Sequence, residues 1–503
     1  MKQRSGEEVT DRERQVAEAI SDNADHASPV KRTNTVSHHS PNYRTVALII
    51  ACGLFMQNLD ATVLATALPT MAQGFGVSPA GISLALTSYL LALAIFIPAS
   101  GVVADKFGPR QTFQSAIAVF LVGSVACALS PTLSMLVAAR FLQGVGGAMM
   151  VPVGRLVLLR SVEKRDLVSA VSWLAMPAMI GPILGPPVGG FIVTYLHWSW
   201  IFWINVPMGL FGIFMVGRFV PNIRSEEASP FDVPGFLLSG AGLGAVLFGL
   251  ELVSRPGHGQ VAASLLLIGA MSLCGYVAHA RRVERPILDL KLLRVKSFRL
   301  SVVGGTLLRI THGANPFLLP MLMQLAFGLS AAASGMVTVS TAVGAFAMKS
   351  VVRRLLRLWG FRNSLSAIGL MSPLTFAAIG LIRPSWPWPA IIALLMFYGF
   401  LTSLQFSALN TIVYDEVPQE QLSRATSFYS TVQQLSMSLG VVSGAGILTL
   451  SMNLNGHTEP QFGDFSMAMW GVATIGVLAI FANLRFDPDA GAEMAGRSRR
   501  DQP

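Results

Sequence analysis

The run Val46-Ala47-Leu48-Ile49-Ile50-Ala51-Cys52-Gly53-Leu54-Phe55-Met56-Gln57-Asn58-Leu59-Asp60-Ala61-Thr62-Val63-Leu64-Ala65-Thr66-Ala67-Leu68 decides the fold class. It is long enough for one helix across about 30 Å of hydrocarbon. It contains a single charge, Asp60. Insertion scales put a charge at mid-membrane at roughly 2.5–3.5 kcal/mol, so a carboxylate kept there points to function, often proton carriage.

The rest of the chain agrees with that first run. Hydrophobic residues make up 52% of the 503 residues and charged residues only 12%, with a mean hydropathy of +0.57. A soluble domain would be about 25% charged. Apolar runs predict about fourteen spans, near 46–68, 82–104, 112–130, 132–154, 168–193, 198–220, 233–253, 261–280, 299–325, 331–349, 363–382, 388–411, 424–450 and 465–484. The expected fold class is therefore an all-α polytopic membrane protein.

The net charge of +10 is unevenly placed. Lys and Arg lie in the N-terminal tail and in alternate loops: Lys106 and Arg110; Arg160, Lys164 and Arg165; Arg281 to Arg299; Arg353 to Arg362. The opposite loops carry little beyond Arg255 and Arg383. This asymmetry predicts that both termini face the cytoplasm, in an inner or plasma membrane, and it argues against a nucleic-acid partner. The tail holds no apolar core before the first span, so no cleavable signal peptide is expected. Cys52, Cys127 and Cys274 all fall in spans and imply neither a disulfide nor a metal site.

Six spans lie between 45 and 220 and six between 299 and 484, which predicts two six-helix bundles. Between them, 221–298 holds two extra helices and a cytoplasmic connector; 1–44 and 485–503 read as tails, the first of them disordered. Phe107-Gly108-Pro109-Arg110 and Trp359-Gly360-Phe361-Arg362 follow the second span of each half, a short echo of duplication.

Gly101-Val102-Val103-Ala104-Asp105-Lys106-Phe107-Gly108-Pro109-Arg110 resembles the loop motif between spans two and three of the major facilitator superfamily. Arg140-Phe141-Leu142-Gln143-Gly144-Val145-Gly146-Gly147-Ala148 resembles its fourth-span motif. Gly181-Pro182-Ile183-Leu184-Gly185-Pro186-Pro187-Val188-Gly189-Gly190 is similar to the fifth-span motif of antiporters. With Trp200 to Pro207 and Phe231 to Gly235, the chain resembles the fourteen-span drug:proton antiporters of the EmrB/QacA type. Met149 to Leu156 and Gln434 to Gly440 look most like the MdtD/HsrA branch. Ala65 stands where Asn is usual in the family, and Gln111 where a second basic residue is common.

The residues also support roles of their own. Pro177, Pro182, Pro186 and Pro187 remove backbone donors, while Gly181, Gly185, Gly189 and Gly190 allow close helix contact, so the fifth span is expected to be bent, tightly packed and able to gate. The alternative for these glycines is packing alone. Gly101, Asp105, Gly108 and Arg110 form a turn at the membrane edge, where Asp105 can meet a helix N-terminus and the cations can pair across the loop. Either a state-dependent gate or an ordinary topogenic loop fits them.

Arg140, Gln143, Gly144 and Gly147 share one helical face. A guanidinium close to a carboxylate favours its charged form and on withdrawal releases it to bind a proton, so Asp60 is the expected proton site and Arg140 its modulator. Gln57, Gln143, Arg309, His312, Asn315, Gln405 and Gln433 are the expected substrate contacts. His312 taken alone also fits a structural histidine. Asp60 is the one carboxylate placed deep in the membrane; Glu251 is expected to pair with Arg255 at the interface or to snorkel, and the second half shows no carboxylate inside its spans.

No nucleophile with a base, phosphate loop or metal cluster is visible, so enzyme chemistry, a metal and a cofactor are not expected. The expected function is a proton-coupled antiporter exporting small amphipathic compounds or drugs by alternating access. Its partners are a small-molecule substrate, protons and the lipid bilayer, with a monomer as the working unit. Two alternatives stay open: a transporter of a specific metabolite, an anion among the candidates, or a membrane sensor that kept the fold.

Overall fold

A computed structural model describes residues 43–78, 81–161, 167–220, 231–253, 257–418 and 421–495, with backbone alone for 43–44, 159–161, 167–179, 182, 423, 493 and 495. The described residues are helical throughout, with no strand among them. In chain order the helices are α1 (Tyr43–Phe75), α2 (Ser83–Phe96), α3 (Ser100–Phe107), α4 (Pro109–Ala128), α5 (Leu133–Ser161), α6 (Leu167–Tyr195), α7 (Trp200–Trp203) and α8 (Asn205–Phe219). Then follow α9 (Val233–Val253), α10 (Gly259–Ala280), α11 (Lys296–Met321), α12 (Ala331–Ile379), α13 (Trp388–Ile412), α14 (Leu422–Asn455), α15 (Phe462–Val477), α16 (Ala479–Asn483) and α17 (Ala492–Ala495).

Eleven of these helical stretches are long and apolar enough to cross a membrane. α6 and α11 are further long helices of 29 and 26 residues, and α12 counts twice because its 49 residues break at Gly360. The total is about fourteen. The residues 350–362, expected as a loop, instead continue the helix up to that break.

Gly360 has φ 74° and ψ 169°, and Gly108, which separates α3 from α4, has φ 89° and ψ 141°. Backbone in this region is essentially closed to residues with a Cβ. The two glycines of the repeated sequence echo thus make the same kind of corner. Pro98 produces a milder adjustment, a 3₁₀ turn over Ile97–Ala99 between α2 and α3.

In the first half α1 packs on α6, and α5 packs on both α2 and α4. In the second, α12 packs on α13 and α11 on α14. The halves meet where α6 touches α12, α2 touches α14 and α1 touches α11. The extra pair, α9 and α10, packs mainly on itself and leans on α2 and α14. Leu267, Ile268 and Met271 of α10 are exposed, as expected for a helix facing lipid.

The up-and-down alternation of the helices puts Lys106, Arg110, Arg281, Arg353, Arg357 and Arg424 at one end of the bundle, its basic end. Toward the opposite end a single apolar cluster joins both halves, from Val63, Leu68 and Met71 through Phe317 and Met321 to Phe376 and Phe465. Gln324 Nε2 donates to Thr66 O at 2.9 Å, and Ala332 N to Thr194 Oγ1 at 3.0 Å, across the same junction. Toward the basic end, one cluster draws only on 46–220 and two others only on residues beyond 290. The halves are therefore sealed together at one end and separately cored at the other.

Two buried carboxylates depart from the expected pattern. Glu251 does not snorkel: it is 5% exposed and accepts a bond from Ser83 Oγ at 2.6 Å, where α9 meets α2. Arg255 lies outside the described residues. Asp464, expected in a loop, is fully buried in the first turn of α15, bound by Ser451 Oγ at 2.7 Å, Asn455 Nδ2 at 3.1 Å and His457 Nδ1 at 2.7 Å. A carboxylate in a helix's first turn satisfies free backbone N–H groups, and Gln461 N also donates to it.

Candidate functional site

Asp60 of α1 and Arg140 of α5 meet between the helices of the first half. Arg140 Nη1 donates to Asp60 Oδ2 at 2.6 Å and to Gln143 Oε1 at 2.5 Å, while its Nε donates to Ala85 O of α2 at 3.2 Å. Gln143 Nε2 and Asn205 Nδ2 both donate to Asp60 Oδ1, at 2.9 and 2.8 Å. The same two amides reach Ser124 Oγ at 3.2 and 2.9 Å. Asp60, Ser124, Arg140, Gln143 and Asn205 are all buried. The Arg140 guanidinium lies 4.4 Å from the centre of the Tyr89 ring, so a π face covers the charge on one side.

Removing two charges from water costs several kcal/mol per ion and is offset only where the pair's remaining donors and acceptors are met. Gln143 and Asn205 meet those of Asp60. The arrangement also makes proton binding and ion pairing compete. An ionised carboxylate is acceptor-only, whereas a protonated one presents a donor that Arg140 cannot accept. A proton on Oδ2 would take the place of the hydrogen bond from Arg140 there.

Sequence reading placed Asp60, Arg140 and Gln143 but missed Asn205, Ser124 and Tyr89. Asn205 carried a readable signal, since it is the one amide in the apolar run from Trp200 to Phe219. Ser124 and Tyr89 carried none, because a small hydroxyl or an aromatic ring is ordinary in any span. Gln57 sits against α5, its Nε2 3.4 Å from where a Cβ on Gly147 would lie.

In the second half Arg309 of α11 is fully buried. Its Nη2 donates to Tyr429 Oη at 2.5 Å and to Asn410 Oδ1 at 3.3 Å, and its guanidinium lies 4.5 Å from the Tyr429 ring centre and 5.6 Å from that of Phe406. His312 stands edge-on to Phe406 at 4.8 Å. His312 Nδ1, Asn315 Oδ1 and both amide atoms of Gln405 are buried without a hydrogen-bond partner among the described residues. Gln433 is half-buried on α14. Tyr429 is the partner that the sequence did not reveal.

The gating candidates separate by what they touch. At the α3–α4 corner, Arg110 Nη2 donates to Gly217 O and Gln114 Nε2 to Ile213 O at 3.0 Å, binding carbonyls of the last turns of α8. Arg110 thus ties α4 to α8 instead of pairing across its loop. Asp105 is half-buried at the end of α3, and a Cβ on Gly101 would meet open space.

On α6, a Cβ at Gly185 would fall 1.9 Å from Thr62 Oγ1 and one at Gly189 2.3 Å from Thr66 Oγ1; Gly181 faces Asn58 and Leu59. All three seat α6 on α1, within the first half. A Cβ on Gly190 would instead lie 2.4 Å from Ala331 O, and one on Gly335 2.2 Å from Pro186 O, so these two set the contact with α12 of the other half. The helix expected to bend is continuous from Leu167 to Tyr195. The side chains of Pro177 and Pro182 lie outside the described residues.

Two joined sets of helices, sealed at one end, with a buried ion pair among apolar spans, define the class: a multi-pass membrane transporter. The Major Facilitator Superfamily model matches residues 50–441 and 302–501. The chain belongs to that superfamily. It is 36% identical over 464 residues to the "Putative multidrug resistance protein MdtD" of Escherichia coli O6:H1, covering 90% of this chain and 97% of that one. The protein of the same name from Serratia proteamaculans is 38% identical over 414 residues, covering 82% and 86%.

Among solved structures, the fold is similar to a D-xylose-proton symporter, with a TM-score of 0.65, 14% identity and coverage of 89% of this chain and 98% of that one. It is similar also to the POT family transporter PepTSo, with a TM-score of 0.67, 12% identity and coverage of 88% and 97%. At such identities the likeness concerns the fold.

Proposed function

We propose that this protein exports small amphipathic compounds from the cytoplasm in exchange for protons, by alternating access between its two halves. The observation that carries the reading is the buried Asp60–Arg140 pair, where binding a proton and keeping the ion pair compete. The relatives' printed name, a multidrug resistance protein, supports the substrate class.

The positive-inside rule supports a cytoplasmic basic end, with both termini on that side of an inner or plasma membrane. On that reading the state described here is closed to the outside and separately cored toward the cytoplasm. Proton arrival at Asp60 loosens α1 from α5, and the α6–α12 contact at Gly190 and Gly335 closes or parts as the halves rock. A monomer contains every part this cycle uses.

Purified protein in proteoliposomes with an imposed pH gradient tests the reading. Wild type should accumulate a lipophilic dye against its gradient. Asp60→Asn should abolish that accumulation while permitting downhill exchange; accumulation at wild-type level by Asp60→Asn would place the proton site elsewhere.

A further inference from the structure

The two buried arginines of this transporter are treated differently. Arg140 has a carboxylate at 2.6 Å, whereas Arg309 has none among the described residues: its polar contacts there are the neutral Tyr429 Oη and Asn410 Oδ1. Its Nε and Nη1 are buried with no hydrogen-bond partner among the described residues. A guanidinium cannot shed its charge in a protein, so a buried one calls for a counter-charge.

We infer that Arg309 receives the acidic group of an amphipathic organic anion, a carboxylate or sulfonate attached to a flat apolar body. This rests on the export reading above and names the substrate class for it. Nε and Nη1 each keep a free N–H on a separate edge of the guanidinium, so an acidic group can take a charge-assisted hydrogen bond at either edge. The rings of Tyr429 and Phe406 border the guanidinium and offer apolar faces to the body of the ligand. Around them His312 Nδ1, Asn315 Oδ1 and the Gln405 amide are unpartnered, leaving donors and acceptors for the ligand's other polar atoms. Arg309 is sealed from solvent in this state, so the anion enters when α11, α13 and α14 part during the cycle.

The site has an internal control in Asn410, whose Oδ1 lies 3.3 Å from Arg309 Nη2. Asn410→Asp keeps the shape of the side chain and supplies the missing counter-charge, so it should fold and yet exclude an external anion.

Binding is measured on the full chain in nanodiscs, with no gradient, using naphthalene-1-carboxylate and the matched cation 1-naphthylmethylammonium. Because no gradient is applied, the result does not depend on proton coupling at Asp60, and a failure of either reading shows separately. We expect the carboxylate to bind at least tenfold more tightly than the ammonium, Arg309→Gln to weaken it at least tenfold, and Asn410→Asp to abolish it. Equal binding of the cation, or unchanged carboxylate affinity in Asn410→Asp, would overturn the inference. Full displacement of the carboxylate by equimolar chloride would also overturn it, by assigning the site to inorganic anions.

Discussion

Asp60 and Arg140, eighty residues apart in the chain, form a 2.6 Å ion pair in which both side chains are shielded from solvent. Breaking one side of such a pair leaves a stranded charge, which costs about 3–5 kcal/mol. Arg140→Gln should therefore lower thermal stability more than the double change Asp60→Asn with Arg140→Gln, which strands nothing. A thermal-shift double-mutant cycle in detergent measures the coupling; additive effects would show that the pair contributes no interaction energy of its own.

Asn205 is the test of whether the surrounding amides tune proton exchange. Its Nδ2 donates to Asp60 Oδ1 at 2.8 Å, and donors to a carboxylate favour the charged form. Asn205→Ala removes one of the two donors to Oδ1, so concentrative dye transport should fall at least twofold with the fold intact. Unchanged transport would leave Asn205 a packing residue.

Glycines at the contacts of α6 should divide according to partner. At Gly185 even a Cβ meets Thr62 Oγ1 at 1.9 Å, inside the first half, so Gly185→Leu should reduce the yield of folded protein. Gly335→Leu wedges α12 away from Pro186 O, between the halves, and should leave each half folded while shifting the population away from the state described here. Spin-label distances across the sealed end should lengthen in the second variant. No change there would remove Gly335 from the gate.

The corners at Gly108 and Gly360 predict a backbone effect. Placing a Cβ at φ 89° or 74° costs about 1–3 kcal/mol, so Gly108→Ala and Gly360→Ala should each lower the melting temperature. Gly101, two turns earlier in a helix with open space at its Cβ, should accept Ala with no loss. Equal effects at all three positions would contradict the corner geometry.

Orientation is checked by labelling single cysteines on a background lacking Cys52, Cys127 and Cys274. A cysteine at the exposed Arg357 should react only from the cytoplasmic side, and one at the exposed Glu459 only from outside. The reverse pattern would invert the proposed cycle.

The class of fold was legible in residue order alone, because a bilayer imposes a one-dimensional rule: each crossing must be an apolar run of about twenty residues. Asp60, Arg140 and Arg309 stood out by the same rule, as charges where hydrocarbon allows few. The repeated Gly-X-Arg corners at 108 and 360 also showed themselves, since the backbone geometry there admits glycine and little else.

What joins one span to another was decided only in three dimensions. That Asn205 and Ser124 complete the Asp60 network depends on α8 lying beside α1 and on α4 lying beside α5 and α8, and no local pattern records helix neighbours. Gly185 and Gly190 lie five residues apart on α6, yet one faces α1 and the other α12, because a helix turns about 100° per residue and presents each face to a different partner. Glu251 and Asp464 look like interfacial acids in sequence, but tertiary contacts supply the donors that let them be buried. Burial of a polar side chain depends on partners brought from elsewhere in the chain, and only the packed structure brings them.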